Sequence, residues 1–262
     1  MLPFVYNFPF FSIFLCMVSA ILLSVVRSDK LSYTWSMCVA FICGLLSLIL
    51  TVYLYKAGVS FAYTMGKFPA PFGNEIKAGP LQALLTTVFC FVMFFAYLGG
   101  REDFFADVPK GKLGLACVML NMTLASLLVL TYTNDIFTGY VFIEISTIAA
   151  CALVMIKQSG ETFVATIRYL FMSLFGSGLF LFGIIILYGI TVYTAYLLPK
   201  GVGLAGLLWH GVCLALIGAA SCVTWAAAGG VFQKFLARYY KPFNLSMALI
   251  LLWCAVSLVF DL

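Results

Sequence analysis

Read for the spacing of apolar and polar positions, the chain resolves into eight long apolar runs, at residues 8–26, 33–55, 81–98, 113–132, 136–156, 169–192, 202–228 and 243–260. Each approaches or exceeds the roughly 18–20 residues that a helix needs to cross hydrocarbon. The runs are apolar on every face and lack the alternation of barrel strands. A backbone in lipid must also satisfy its own hydrogen bonds, so the pattern predicts helices rather than spanning strands. The segments between runs carry the Gly, Pro and charged residues that end helices. The expected fold class is all-α, a polytopic integral membrane protein of about eight transmembrane helices.

Composition sharpens this picture. Hydrophobic residues make up 65% of the chain and charged residues 9%, against about 45–50% and 25% in soluble domains. Fourteen Lys and Arg and nine Asp and Glu cannot cover a water-soluble surface of this size, so a soluble globule is excluded and the lipid bilayer is the first partner. The 26 Phe and 14 Tyr suit both acyl chains and headgroup boundaries. A net charge of +5 does not imply nucleic acid here, because the basic residues sit between spans, where they orient the protein. The opening MLPFVYNFPFF lacks the basic n-region and small-residue cleavage site of a signal peptide, so the first run is read as a retained helix.

Assigned to the two sides of an eight-span zigzag, Arg27, Lys30, Arg101, Lys110, Lys112, Lys157, Arg168, Lys234, Arg238 and Lys241 fall on one side. Lys56, Lys67, Lys77 and Lys200 fall on the other. Ten against four makes the first side cytoplasmic and places both termini outside the cytoplasm of a cell-membrane protein.

Candidate chemistry is sparse. The nine cysteines lie inside apolar runs, their number is odd, and no CxxC occurs, so they read as small buried hydrophobes. With a single histidine, His210, there is no ligand set for a metal, and no cofactor is expected. Eight of the nine acidic residues lie in loops or at ends, and only Glu144 is mid-span. It stands nine residues past Asp135, about 13 Å along a helix and near the bilayer centre. Ionised and unpaired there, a carboxylate costs several kcal/mol, so Glu144 should be neutral or meet a cation. Either condition makes it a proton-exchanging group in principle.

Ser146 and Thr147 are close enough along the helix to hydrogen-bond Glu144, and Tyr140 stands one turn earlier on a similar face. The alternative is that Glu144 only ties two helices together as a neutral acid. His210, beside Trp209 in the seventh run, is a second candidate as a proton relay, against a packing or interfacial role. Glycines at 176, 178, 183 and 189 suggest close helix contact, or unwinding at a substrate site. The basic, Tyr-rich run 229–241 reads as an interfacial anchor.

Three segments occur in order: FPAPFGNEIKAGPLQAL (68–84), NDIFTGYVFIEISTIAACALV (134–154) and RYLFMSLFGSGLFLFGIIILYGITV (168–192). Together they resemble the D-type subunit of Mrp cation/proton antiporters and related membrane subunits of complex I and membrane-bound hydrogenases. The resemblance covers about 190 residues. It implies that Glu144 matches the family's proton-path glutamate and that the chain works with other membrane subunits on protons or sodium ions. Two departures stand out. Lys77–Pro80 replaces the segment in which the family commonly carries an acidic residue, and nothing after Val192 matches, so the family's buried lysine has no counterpart here.

The stretch LALIGAASCVTWAAAGGVFQKFLARYYKPFNLSMALILLWCAVSLVFD (214–261) is instead similar to the C-terminal end of LysE-type amino-acid exporters. The expected organisation is therefore a six-helix antiporter-subunit-like region, 1–195, and a two-helix exporter-like region, 196–262. Three readings of function follow: a membrane subunit of a proton or sodium ion-translocating complex, with Glu144 as its membrane carboxylate; a small-solute or amino-acid exporter; and an inactive structural remnant. The chain is expected not to be catalytic alone, but to act as a subunit of an ion-translocating oxidoreductase or antiporter.

Overall fold

The structure, a computed structural model, describes residues 4–64, 74–224 and 227. A 3-10 turn (Phe4–Asn7) leads into α1 (Phe8–Leu23) and α2 (Asp29–Ala57). Strands β1 (Phe61–Thr64) and β2 (Glu75–Ala78) precede α3 (Pro80–Gly99), a short α4 (Arg101–Asp107), α5 (Leu113–Tyr132), α6 (Ile136–Met155) and α7 (Gly160–Val192). A π turn (Tyr193–Leu197) and a 3-10 turn (Leu198–Lys200) then lead to α8 (Leu204–Thr224). Among the described residues seven helices are long and apolar enough to span a bilayer, all but α4. The protein is thus an all-α polytopic membrane protein. The expected span 243–260, the basic run 229–241 and residues 68–73 of the first motif lie outside the described residues.

Helix ends follow local chemistry that hydropathy does not register. The second helix starts at Asp29, ahead of the apolar run, with Ser28 at its N-cap position, the acidic Asp29 in its first turn and Lys56 in its last. These charges complement the helix dipole. Gly58 closes α2 in the left-handed region at φ 63°, a conformation that costs a glycine little. The seventh helix also begins early. The Ser159 hydroxyl accepts from the Thr162 N–H (3.2 Å), and the Thr162 hydroxyl accepts from the Ser159 N–H (3.2 Å). This reciprocal cap extends α7 nine residues ahead of the apolar run that marks it in the sequence.

The chain divides into two compact units, Met1–Ile185 and Ile186–Leu262. In the first, α5 packs against α1, α2, α3 and α6, while α2 and α3 share the most extensive seam. That seam is narrow. A Cβ added at Gly44 would lie 3.4 Å from the Phe91 ring, so the absence of a side chain sets how near the two helices come. Tyr33 meets Tyr97 edge-on, with centroids 5.2 Å apart, and donates its hydroxyl to the Tyr97 backbone carbonyl. Of the cysteines, Cys16, Cys43, Cys90, Cys117 and Cys151 are buried as the apolar setting suggested, whereas Cys38 and Cys222 are exposed on outer faces.

The loop between α2 and α3 contains a small antiparallel pair, Phe61 opposite Ala78 and Thr64 opposite Glu75. Ile76 also bridges to Thr133 at the end of α5. In the second unit Gly201 turns the chain at φ 64° after Pro199, and the Tyr193 hydroxyl donates to the Leu207 carbonyl (3.2 Å).

Candidate functional site

The residues that position Glu144 begin at the start of α6. Asp135 is its N-cap, accepting from the backbone N–H of Phe137 (3.4 Å) and Thr138 (2.8 Å) and from the Thr138 hydroxyl (2.6 Å). Such caps contribute about 1 kcal/mol. The loop just before it is latched to β2. The Asn134 N–H donates to the Glu75 carbonyl (2.9 Å), its side-chain amide donates to the Glu75 carboxylate (2.5 Å), and the Thr138 hydroxyl reaches Asn74 Oδ1 (2.8 Å). Behind this latch a cavity of about 190 Å³ opens between α1, β2, α5 and α6, with Glu75, Tyr132, Thr138 and Phe142 in its wall. On β1 burial pushes the Tyr63 hydroxyl above its ordinary range, with Tyr132 adding to the shift.

Glu144 follows two turns further on. Its side chain is half-buried, and Oε1 is buried with no hydrogen-bond partner. The neighbours expected to bind it are engaged elsewhere. The Ser146 hydroxyl donates to the Ile143 carbonyl (2.8 Å), because two residues along a helix it points away from Glu144. Thr147 accepts from the Ser173 hydroxyl of α7 (3.2 Å) and so joins the two helices instead. Tyr140 stacks on Phe180 of α7, centroids 6.4 Å apart. The carboxyl therefore sits beside an α6–α7 contact made by its neighbours without being bonded into it.

Past the end of α6, Lys157 pairs with Asp107 of α4 (2.8 Å) at the rim of a cavity of about 480 Å³ walled by Tyr97, Phe104, Leu120 and Leu153. Both partners are at least half exposed, so the pair contributes about 1 kcal/mol or less. Glu144 lines neither cavity. His210 lies in α8, in the second unit, where its Nδ1 donates to the Gly206 carbonyl of the same helix (2.7 Å). Among the described residues no three His, Cys, Asp or Glu side chains converge to hold a metal ion.

Sequence reasoning missed a second polar feature. Ser12, Ser32, Ser36, Ser47, Thr86, Asn121 and Ser126 are all buried within the α1, α2, α3 and α5 bundle. The signal was available in the spacing of Ser36 and Ser47 along one apolar run, with Ser32 just ahead of it, but no charged residue drew attention to it.

Fold and site together define a polytopic α-helical membrane protein in which, among the described residues, Glu144 is the carboxyl group midway along a spanning helix. The family model described as "NADH:quinone oxidoreductase/Mrp antiporter, TM" matches residues 133–227, which include α6, α7 and Glu144. Two solved structures share the fold of the chain. A chain of the membrane-bound sulfane sulfur reductase, an archaeal respiratory membrane complex, superimposes with a TM-score of 0.57 at 23% identity, over 73% of this chain and 37% of that one. A chain of the Mrp complex from Dietzia sp. DQ12-45-1b does so with a TM-score of 0.63 at 17% identity, over 72% and 35%.

The exporter likeness recurs as well. The cysteine/O-acetylserine efflux proteins of Escherichia coli K12 and O157:H7 are 38% identical over 76 residues, 29% of this chain and 39% of theirs. The chain thus spans about two fifths of the length of these curated relatives. Both resemblances read from the motifs are therefore found, but the antiporter-type match does not stop at Val192 as the motifs suggested: it continues to residue 227.

Proposed function

We propose that the chain is a membrane subunit of a proton or sodium ion-translocating complex, assembled with other membrane subunits, and that Glu144 is the group through which protons pass. The observation that carries this reading is the coincidence of two facts. The family match over 133–227 encloses Glu144, and the Glu144 Oε1 is buried and unbonded, which supports a proton-exchanging role over a packing one. In this reading residues 1–195 form the antiporter-subunit-like region and 196–262 the exporter-like one, with the family match reaching into the second as far as residue 227. The efflux-protein match favours a second reading, a small-solute exporter.

The two readings separate on assembly and on cargo. Mild-detergent purification followed by native mass measurement should find the chain bound to other membrane subunits, and vesicles holding that assembly should couple a pH gradient to proton or sodium flux. A homo-oligomer that moves amino acids and leaves the pH gradient intact would establish the exporter instead.

The same reading places the protein in the cell membrane with the 101–112 loop in the cytoplasm, from the ten-to-four division of basic residues. A cysteine introduced by Lys110→Cys should react with a membrane-impermeant maleimide only after cells are permeabilised. Labelling in sealed cells would reverse the orientation.

A further inference from the structure

Ser32, Ser36, Cys43, Ser47 and Thr51 follow one another at helical spacing along α2. At 1.5 Å per residue they cover about 28 Å, close to the hydrocarbon thickness of a bilayer. Their partners come from the three surrounding helices. Asn121 of α5 donates to the Ser36 hydroxyl (2.8 Å) and Cys43 touches Cys16 of α1, sulfur to sulfur, at 3.6 Å. Thr51 meets Thr87 of α3 at 3.1 Å, and the Thr86 and Tyr132 hydroxyls lie 2.7 Å apart.

Four hydroxyls in this column have no partner: Ser12, Ser32, Ser47 and Tyr97. The three serines are at most 1% exposed and Tyr97 is 4% exposed. Helical hydroxyls commonly fall back on the carbonyl one turn earlier, as Thr51 does on Ser47 (2.7 Å) and Ser126 on Met122 (2.8 Å). These four do not. Ser47 lies near Tyr132 and Cys90, and Tyr97 near Ser36, close enough to interact but outside the geometry of a direct hydrogen bond. Buried polar groups left unbonded are among the costlier local defects a fold can carry, and the usual remedy is an internal water with two to four polar partners.

We propose that this column is a binding site for internal water. One cluster bridges Ser32, Ser36, Tyr97 and Asn121, the other bridges Ser12, Ser47, Thr86 and Tyr132, and the Cys16–Cys43 contact is the dry partition between them. The ligand is water and not a cation, because no Asp, Glu, Lys or Arg lies among the column residues and a dehydrated ion would find only neutral ligands there. The inference does not depend on Glu144 or on ion transport.

X-ray hydroxyl-radical footprinting of the full chain in nanodiscs tests it, since radicals form from water wherever water sits. Tyr97 and Tyr132, buried from bulk solvent, should be oxidised faster than Met172, which is intrinsically more reactive but is exposed beside Phe171 and Phe175 on the spanning helix α7 and so is expected to meet lipid in a nanodisc. Thermal unfolding supplies the second arm. Ser47→Ala removes a water anchor and should lower Tm, whereas a dry, unbonded hydroxyl replaced by alanine would raise it. Protection of Tyr97 and Tyr132 to the level of Met172, or a higher Tm for Ser47→Ala, overturns the proposal.

Discussion

Glu144→Gln is expected to reduce coupled flux to the level of protein-free vesicles while leaving assembly and thermal stability unchanged. The amide matches the carboxyl in shape and can both donate and accept hydrogen bonds, but it does not exchange a proton near neutral pH. Energetics argue that the carboxyl is not there for packing. An acidic side chain near the centre of a membrane helix costs about 2.5–3.5 kcal/mol on insertion scales, whereas an interhelical hydrogen bond in a membrane protein returns only about 0.6 kcal/mol on average. Even that return is missing at Glu144 Oε1, which has no partner. Thr147 and Ser173 already make the polar contact between α6 and α7. Glu144→Asp is the informative companion: it keeps the titratable group but withdraws it by one methylene, so partial flux is expected. Full flux in Glu144→Gln would leave Glu144 as a packing residue and remove the support for ion translocation through this chain.

The spans themselves were legible because lipid imposes a single requirement, a long apolar stretch that satisfies its own backbone, and the runs at 113–132 and 136–156 coincide with α5 and α6 to within a residue. The misjudged ends were those where polar residues continue a helix beyond the hydrocarbon. The starts of α2 and α7 depend on Asp29 and on the Ser159–Thr162 cap, neither of which registers in a hydropathy window. The β1–β2 pair escaped notice for a related reason: it is held by tertiary bonds from Asn134 and Thr133, which local sequence does not encode.

Glu144 was identifiable from sequence because charge in a span is rare, but its surroundings were not. Proximity along the helix suggested Ser146 and Thr147 as partners, whereas the Ile143 carbonyl and Ser173 claim them. The buried hydroxyls of α2 were harder still to recognise. A serine in an apolar run reads equally well as a small packing residue, and only three-dimensional placement shows which hydroxyls lack a partner.

Tyr132→Ala is expected to destabilise the first unit by about 3 kcal/mol, whereas Tyr132→Phe should cost about 1 kcal/mol. Tyr132 ends α5, is 1% exposed, and packs in one cluster with Leu50 and Leu54 of α2, Ile76 and Ala78 of β2, and Ala83 of α3. Removing the ring leaves a void that four elements must close together. Aromatic-to-alanine changes in cores cost about 3–5 kcal/mol, and the low end applies because lipid-embedded helices associate mainly through packing, without the full water-transfer contribution. The phenylalanine variant keeps the ring and loses the hydroxyl's bond to Thr86 together with its place in the water cluster proposed above; the Thr86 hydroxyl retains the Ala83 carbonyl (2.9 Å) and is not orphaned. The adjoining Thr133–Ile76 bridge and Asn134–Glu75 bonds hang from the same helix end, so Tyr132→Ala should also release the β1–β2 loop. Thermal scanning in nanodiscs measures the first effect and limited proteolysis of the 58–79 loop the second. Equal losses for the alanine and phenylalanine variants would show that the hydroxyl, and not the ring, holds this end of the bundle together.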